Sequence, residues 1–160
     1  MSKFLKLLTM GAVMALGVTA TASAANGADP VIGTWTLNLE KSKFHGDRAP
    51  KSMTRTYSAV AGGTEMKVTG VASSGAAISQ SATLTYDGKD VPFTGSPYYD
   101  TLSLKKVNGT TVKSQLKKAG SVVGTTTRTL SGGGKVLTLS TSLKTAKGGT
   151  THDTAVYDRQ

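Results

Sequence analysis

Apolar and polar residues alternate with a period of two along most of the chain after residue 30, and no stretch there repeats at the helical period of 3.6. Trp35, Leu37 and Leu39 fall on one side of a strand predicted over residues 31–39. Met53, Arg55, Tyr57 and Ala59 do the same over 52–60, and Met66 and Val68 over 64–72. Ile78, Gln80, Ala82, Leu84 and Tyr86 alternate through 78–86. Further strands are predicted over 90–94, 99–107, 110–118, 122–130, 136–143 and 150–157. Glycine-rich or Asx-Gly pairs separate most of them: Gly62-Gly63, Asp87-Gly88, Asn108-Gly109, Ala119-Gly120, Gly132-Gly133-Gly134 and Gly148-Gly149. Connections this short cannot carry parallel crossovers, so chain neighbours should pair antiparallel. Only residues 41–51 form a longer loop, and they are too few and too polar for a pair of helices.

A meander of this kind leaves two edges, and closure removes them. The expectation is therefore all-β: an antiparallel up-and-down β-barrel of 8–10 strands forming one domain over residues 26–160. A β-sandwich is the competing architecture, and its Greek-key crossings would call for more long loops than the chain has.

The first 25 residues differ in kind. Lys3 and Lys6 precede a run that is mostly apolar from Leu7 to Thr21, and Ala22-Ser23-Ala24 supplies small residues at the positions a signal peptidase reads. The run is too short for a good membrane span. Residues 1–25 are expected to be a signal peptide, cleaved after Ala24 or Ala25, which places the protein in the periplasm or outside the cell. The chain has no cysteine, so neither a lipid-modified cysteine nor a disulfide is available.

The net charge is +10, and removing Lys3 and Lys6 leaves 17 basic residues against 9 acidic ones. That excess favours weak association with anionic envelope surfaces. It does not favour nucleic acid, because no basic run is longer than Lys105-Lys106 or Lys117-Lys118 and aromatics make up only 6% of the chain. An integral membrane protein is not expected either.

No set of residues points to catalysis. His45 and His152 are the only histidines, and His152 and Asp153 point to opposite faces of a strand, so a metal centre is not expected. There is no phosphate loop or dinucleotide fingerprint, and no cofactor is implied. Asp87 is expected to cap its own turn, and Asp100 to bind a loop or meet Lys89. The aromatics are unevenly spread: Tyr86, Phe93, Tyr98 and Tyr99, with Pro92, fall within fourteen positions. A mouth lined this way could hold an apolar or planar ligand. Arg55 shares a face with Met53 and Tyr57, and Arg128 with Val122 and Leu130. An arginine pointing into a small barrel needs a carboxylate or an anionic ligand beside it. Arg55, Tyr57, Tyr86, Phe93, Tyr98, Tyr99 and Arg128 are thus the candidate ligand-binding residues, for a small hydrophobic or amphipathic molecule. A barrel packed solid, serving a structural or envelope-interaction role, is the alternative.

Gly33-Thr34-Trp35 at the head of the first strand, with Val156-Tyr157-Asp158-Arg159 at the end of the last, resembles the calycin superfamily of lipocalins, fatty-acid-binding proteins and avidins. The blocks from Gly33 to Tyr57 and from Tyr86 to Thr101 are similar to those of small exported bacterial lipocalin-like proteins of unassigned role. The resemblance implies structural roles for Gly33, Trp35, Tyr157 and Arg159: Trp35 plugs one barrel end, and a late arginine, Arg159 or Arg128, lies across it. It also implies differences. Fatty-acid-binding proteins pair an Arg with the Tyr on the last strand; Tyr157 stands in that Tyr position here, but Ala155 occupies the Arg position. No helical lid follows strand one.

Overall fold

A computed structural model describes residues 28–160, so the expected signal peptide lies outside the described residues. Ten strands follow in order: β1 Gly33–Leu37, β2 Ser52–Val60, β3 Gly63–Val71, β4 Ala77–Leu84, β5 Asp87–Pro92, β6 Thr101–Lys106, β7 Thr111–Lys118, β8 Ser121–Ser131, β9 Val136–Lys144 and β10 Thr150–Arg159. Gly46–Arg48 and Gly132–Gly134 form short 3-10 turns.

All ten strands lie in one antiparallel sheet, ordered β4-β3-β2-β1-β10-β9-β8-β7-β6-β5. The ladder that turns the meander back on itself is β1 with β10, where Trp35 sits opposite Arg159 and Leu37 opposite Tyr157. The free edges, β4 and β5, are joined by one bridge: Thr94 N donates to Ser81 O at 3.0 Å, and Ser81 N donates to Thr94 O at 3.4 Å. The result is a nearly closed up-and-down barrel, as the alternation and short turns predicted; a sandwich is excluded.

The seam stays open for local reasons. Asp87-Gly88 does not form the tip of a two-residue hairpin. It opens β5 instead, with Gly88 at φ +81° and a register shift against β6 between Asp87 and Asp90, and β5 forms no ladder with β4. Pro92, which has no N–H to give, lies on this edge, where a strand tolerates it. Gly95 then brings the chain back against the Ser79 carbonyl so closely that a Cβ could not fit.

Two predicted faces need correction. Leu39 is not inward: β1 ends at Leu37, and Leu39 is 45% exposed. Val122 does not share the face of Arg128, because Leu116 pairs with Gly124 while Lys117 pairs with Val122. That bulge inserts Val123 and reverses the alternation, leaving Val122 exposed.

Elsewhere the period of two places apolar residues inside and polar ones outside. Trp35, Tyr57, Tyr157, Leu84, Leu116, Leu137, Val31 and Val68 are fully buried. Each buried aliphatic side chain contributes roughly 1.5–3 kcal/mol. Outward positions such as Thr125, Thr127, Thr129, Thr138 and Ser140 carry hydroxyls. An outer-membrane barrel presents the opposite arrangement, an apolar band outside and polar residues within. Among the described residues no helix is long and apolar enough to cross a membrane.

Candidate functional site

The barrel has a sealed end, a lumen and a mouth. At the sealed end Trp35 has no exposed surface, and its indole N–H donates to Val31 O at 2.8 Å. The Arg159 guanidinium lies over the ring, 4.2 Å from its centroid. Its N–H groups donate to three carbonyls: Gly134 at 2.8 Å, Ile32 at 2.7 Å and Pro30 at 2.6 Å. One side chain thus ties the N-terminal segment and the β8–β9 turn to the last strand. Gly33 must be glycine here: its φ is +136°, and a Cβ would stand 2.6 Å from the Arg159 guanidinium. Of the two arginines considered for the indole, Arg159 occupies it and Arg128 does not.

Arg128 is instead enclosed by Asp29, Tyr86 and Tyr57. Its guanidinium lies 3.7 Å from the Asp29 carboxylate, both side chains being 8% exposed. It donates to the Tyr86 hydroxyl at 3.1 and 3.2 Å and faces the Tyr57 and Tyr86 rings at 5.6 and 5.4 Å. Lys106 covers Tyr86 at 4.5 Å from the ring centroid. Asp29 comes from the polar leader before β1, where no periodicity marks it, and nothing in the local sequence singles it out.

The lumen proper is bounded by Arg55, Tyr57, Met66, Phe93, Tyr99 and Arg128, with leucines and Val112 on the far wall. It encloses about 70 Å3 of free space. Phe93 and Tyr99 stack with centroids 4.8 Å apart. Arg55 faces the Tyr157 ring at 5.3 Å and donates to the Met66 sulfur at 3.4 Å. Its Nε is sealed from solvent and has no hydrogen-bond partner. Burial opposes the charge on Arg55, and the surrounding Tyr157, Tyr57 and Tyr99 favour it, with the net direction of its pKa upward. The Tyr157 hydroxyl donates to the Met53 sulfur at 2.9 Å.

The mouth is a groove of about 430 Å3 between the β1–β2, β3–β4 and β5–β6 loops, walled by Phe44, Met53, Ile78, Pro97 and Tyr98. Arg48 spans it. It stacks 4.9 Å over Tyr98, pairs with Asp153 at 3.6 Å and donates to Thr151 at 2.9 Å.

The predicted residues therefore fall into three places. Arg55, Tyr57, Phe93, Tyr99 and Arg128 share the lumen. Tyr98 stands alone at the mouth, 55% exposed. Tyr86 lies with Arg128 and Asp29, so the aromatic-rich segment makes no continuous rim. Asp29 and Arg48 went unpredicted, and Met53 was placed on the face of Arg55 without being read as a site residue. Asp87 takes its expected turn bonds, from Thr85 at 2.9 Å and Lys89 N at 3.0 Å. Asp100 meets Lys118 at 3.9 Å and accepts from Ala119 N at 3.1 Å; Lys89 pairs with Asp87 instead. His152 bonds Ser142 at 2.9 Å on the outer wall. No group of three His, Cys, Asp or Glu side chains converges among the described residues.

The architecture is a nearly closed, ten-stranded antiparallel barrel of calycin-like topology, consistent with that broad class and with no narrower family. The chain matches no protein-family model, and no curated protein matches it in sequence.

Tyr86 gives the sealed end a pH signature. Burial is the largest cause that pushes its phenol up from 10 to about 12, against the pull of Arg128. Burial also raises the Tyr99 phenol, against Arg55. The folded chain keeps a proton that the unfolded chain releases, so this stability is complete below pH 10 and declines toward pH 12. Urea denaturation across that interval should show falling stability, with a shallower fall for Tyr86→Phe. Identical slopes would remove Tyr86 as its source.

Proposed function

We propose that the chain is exported by residues 1–25 and binds a small hydrophobic or amphipathic molecule in its lumen, in the periplasm or outside the cell, without catalysing a reaction on it. The observation that carries this reading is Arg55, a cation turned into a largely apolar cavity in which the protein supplies only a thioether and aromatic faces. A residue placed only for packing would not need that charge, and buried charge is costly without a partner.

Size limits the ligand. Pockets that enclose drug-sized molecules run to about 300–1,000 Å3, and the inner cavity holds about 70 Å3. Only a compact group fits there, with the remainder of the ligand in the mouth groove after the Arg48–Tyr98 contact opens. The same small volume is the observation that favours the second reading, a barrel packed to serve a structural or envelope-contact role. On the outer wall Lys105 and Lys113 are directly opposed across β6 and β7. Like charges so placed repel, and an anionic surface would relieve them; this supports weak attachment to the envelope under either reading.

Native mass spectrometry of protein purified gently from its own host tests both. The expected result is a chain beginning near Ala25 or Asn26 that carries a stoichiometric small-molecule adduct. A clean unliganded mass, together with no response to fluorescent hydrophobic probes, would leave the packed barrel as the function.

A further inference from the structure

The two lumenal arginines differ in how their charge is met. Arg128 has the Asp29 carboxylate at 3.7 Å and two hydrogen bonds to Tyr86. It is a closed ion pair with no charge left to offer. Arg55 has no carboxylate within ion-pair distance among the described residues. A guanidinium presents five N–H donors. Here one meets a sulfur, a weak acceptor, and the Nε–H meets nothing. The Tyr157 ring, with its centroid 5.3 Å away, offers the negative face of its quadrupole and no formal charge.

From this contrast, and resting on the lumenal binding read above, we infer that the ligand carries a single compact anionic group, of carboxylate size, and that Arg55 receives it while Arg128 does not. One unmatched positive charge calls for one negative charge. A monoanion makes the lumen neutral; a dianion would carry an unpaired charge into an apolar cavity, and a cation would meet repulsion. A planar carboxylate suits the fork of a guanidinium, and Tyr57 and Tyr99, which line the same cavity, can donate phenolic protons to it. The cavity has no room for a long tail. On this reading the apolar part of the ligand lies in the mouth groove walled by Met53 and Ile78. The anchor lies on β2, and Tyr157 faces it from β10, the other neighbour of β1.

The test compares head groups on one tail. Sodium octanoate, 1-octanol, octylammonium and dianionic octyl phosphate are titrated calorimetrically into the mature protein. Octanoate is expected to bind about tenfold or more tightly than octanol, the effect of a charged hydrogen bond, with octyl phosphate weaker than octanoate and octylammonium weakest. Arg55→Met should make octanoate and octanol bind alike. It should also leave the melting temperature unchanged or higher, because an unmatched charge has gone. Arg55→Gln serves as a second variant with the same expected loss of preference, in case the methionine does not fit. Equal binding of octanoate and octanol by the unaltered protein, or retention of the preference in both variants, would overturn the assignment and leave lumenal binding standing. Tighter binding of octyl phosphate than of octanoate would overturn the single charge. Binding of none of the four would remove the assignment and the lumenal reading together.

Discussion

Replacing Asp29 with alanine should destabilise the barrel by about 3–5 kcal/mol, the usual cost of stripping one partner from a buried ion pair. Asp29 and Arg128 are both 8% exposed, so little solvent reaches the pair to replace the lost carboxylate. Tyr86 would still accept from the guanidinium, but a phenol brings no compensating charge. The loss would therefore come from an abandoned cation rather than from a missing contact. That account makes a second claim: Asp29→Ala combined with Arg128→Met should recover most of the stability, because the charge leaves with its partner. Urea denaturation of the two single variants and the double variant measures this. A single-variant loss under about 1 kcal/mol, the value of an exposed pair, would show that water enters the sealed end.

Trp35→Ala should be comparably severe, about 3–5 kcal/mol for a buried aromatic removed from a close-packed site. Trp35 has no exposed surface and supports Val31 through its indole N–H. It is also the platform on which Arg159 lies. Without the indole, the arginine that ties Pro30, Ile32 and Gly134 together loses its floor. Trp35→Phe should cost less, keeping an aromatic face while giving up the bond to Val31 O. A thermal shift no larger for alanine than for phenylalanine would mean that the plug is held by its backbone contacts alone.

The sequence made some of this legible and some not, for physical reasons. Alternation is a local signal, and the inward sets Met66–Val68 and Ile78–Leu84 could be read from it because each strand needs only its own pleat. Arg55 and Arg128 stood out because a charge on an apolar register is locally inconsistent. A bulge is not visible in this way. Val122 was placed inward because one extra residue opposite Leu116 and Lys117 breaks the alternation without changing the composition. Asp87-Gly88 reads as a hairpin tip, yet the pair opens β5, since neighbouring ladders rather than the dipeptide set the register. Asp29 was invisible because its meaning depends on Arg128, 99 positions later in the chain. The same holds for the difference between the two arginines. Sequence shows two inward cations; only the fold shows that one already has its anion.

The β1–β10 ladder has a consequence for when this chain can become a protein. β1 sits between β2 and β10, so the first strand synthesised has one neighbour early and the other only at the very end. Arg159 closes the sealed end by bonding Pro30 across a sequence separation of 129. Contacts that distant carry a heavy loop-closure cost and form late. Under the export proposed above, a chain threading through a membrane from its N-terminus could pair β1 with β2, but could not complete the sheet until its last residues had crossed. The same ladder that seals the barrel would thus keep a chain in transit unfinished, and so still able to thread, for almost the whole of its passage.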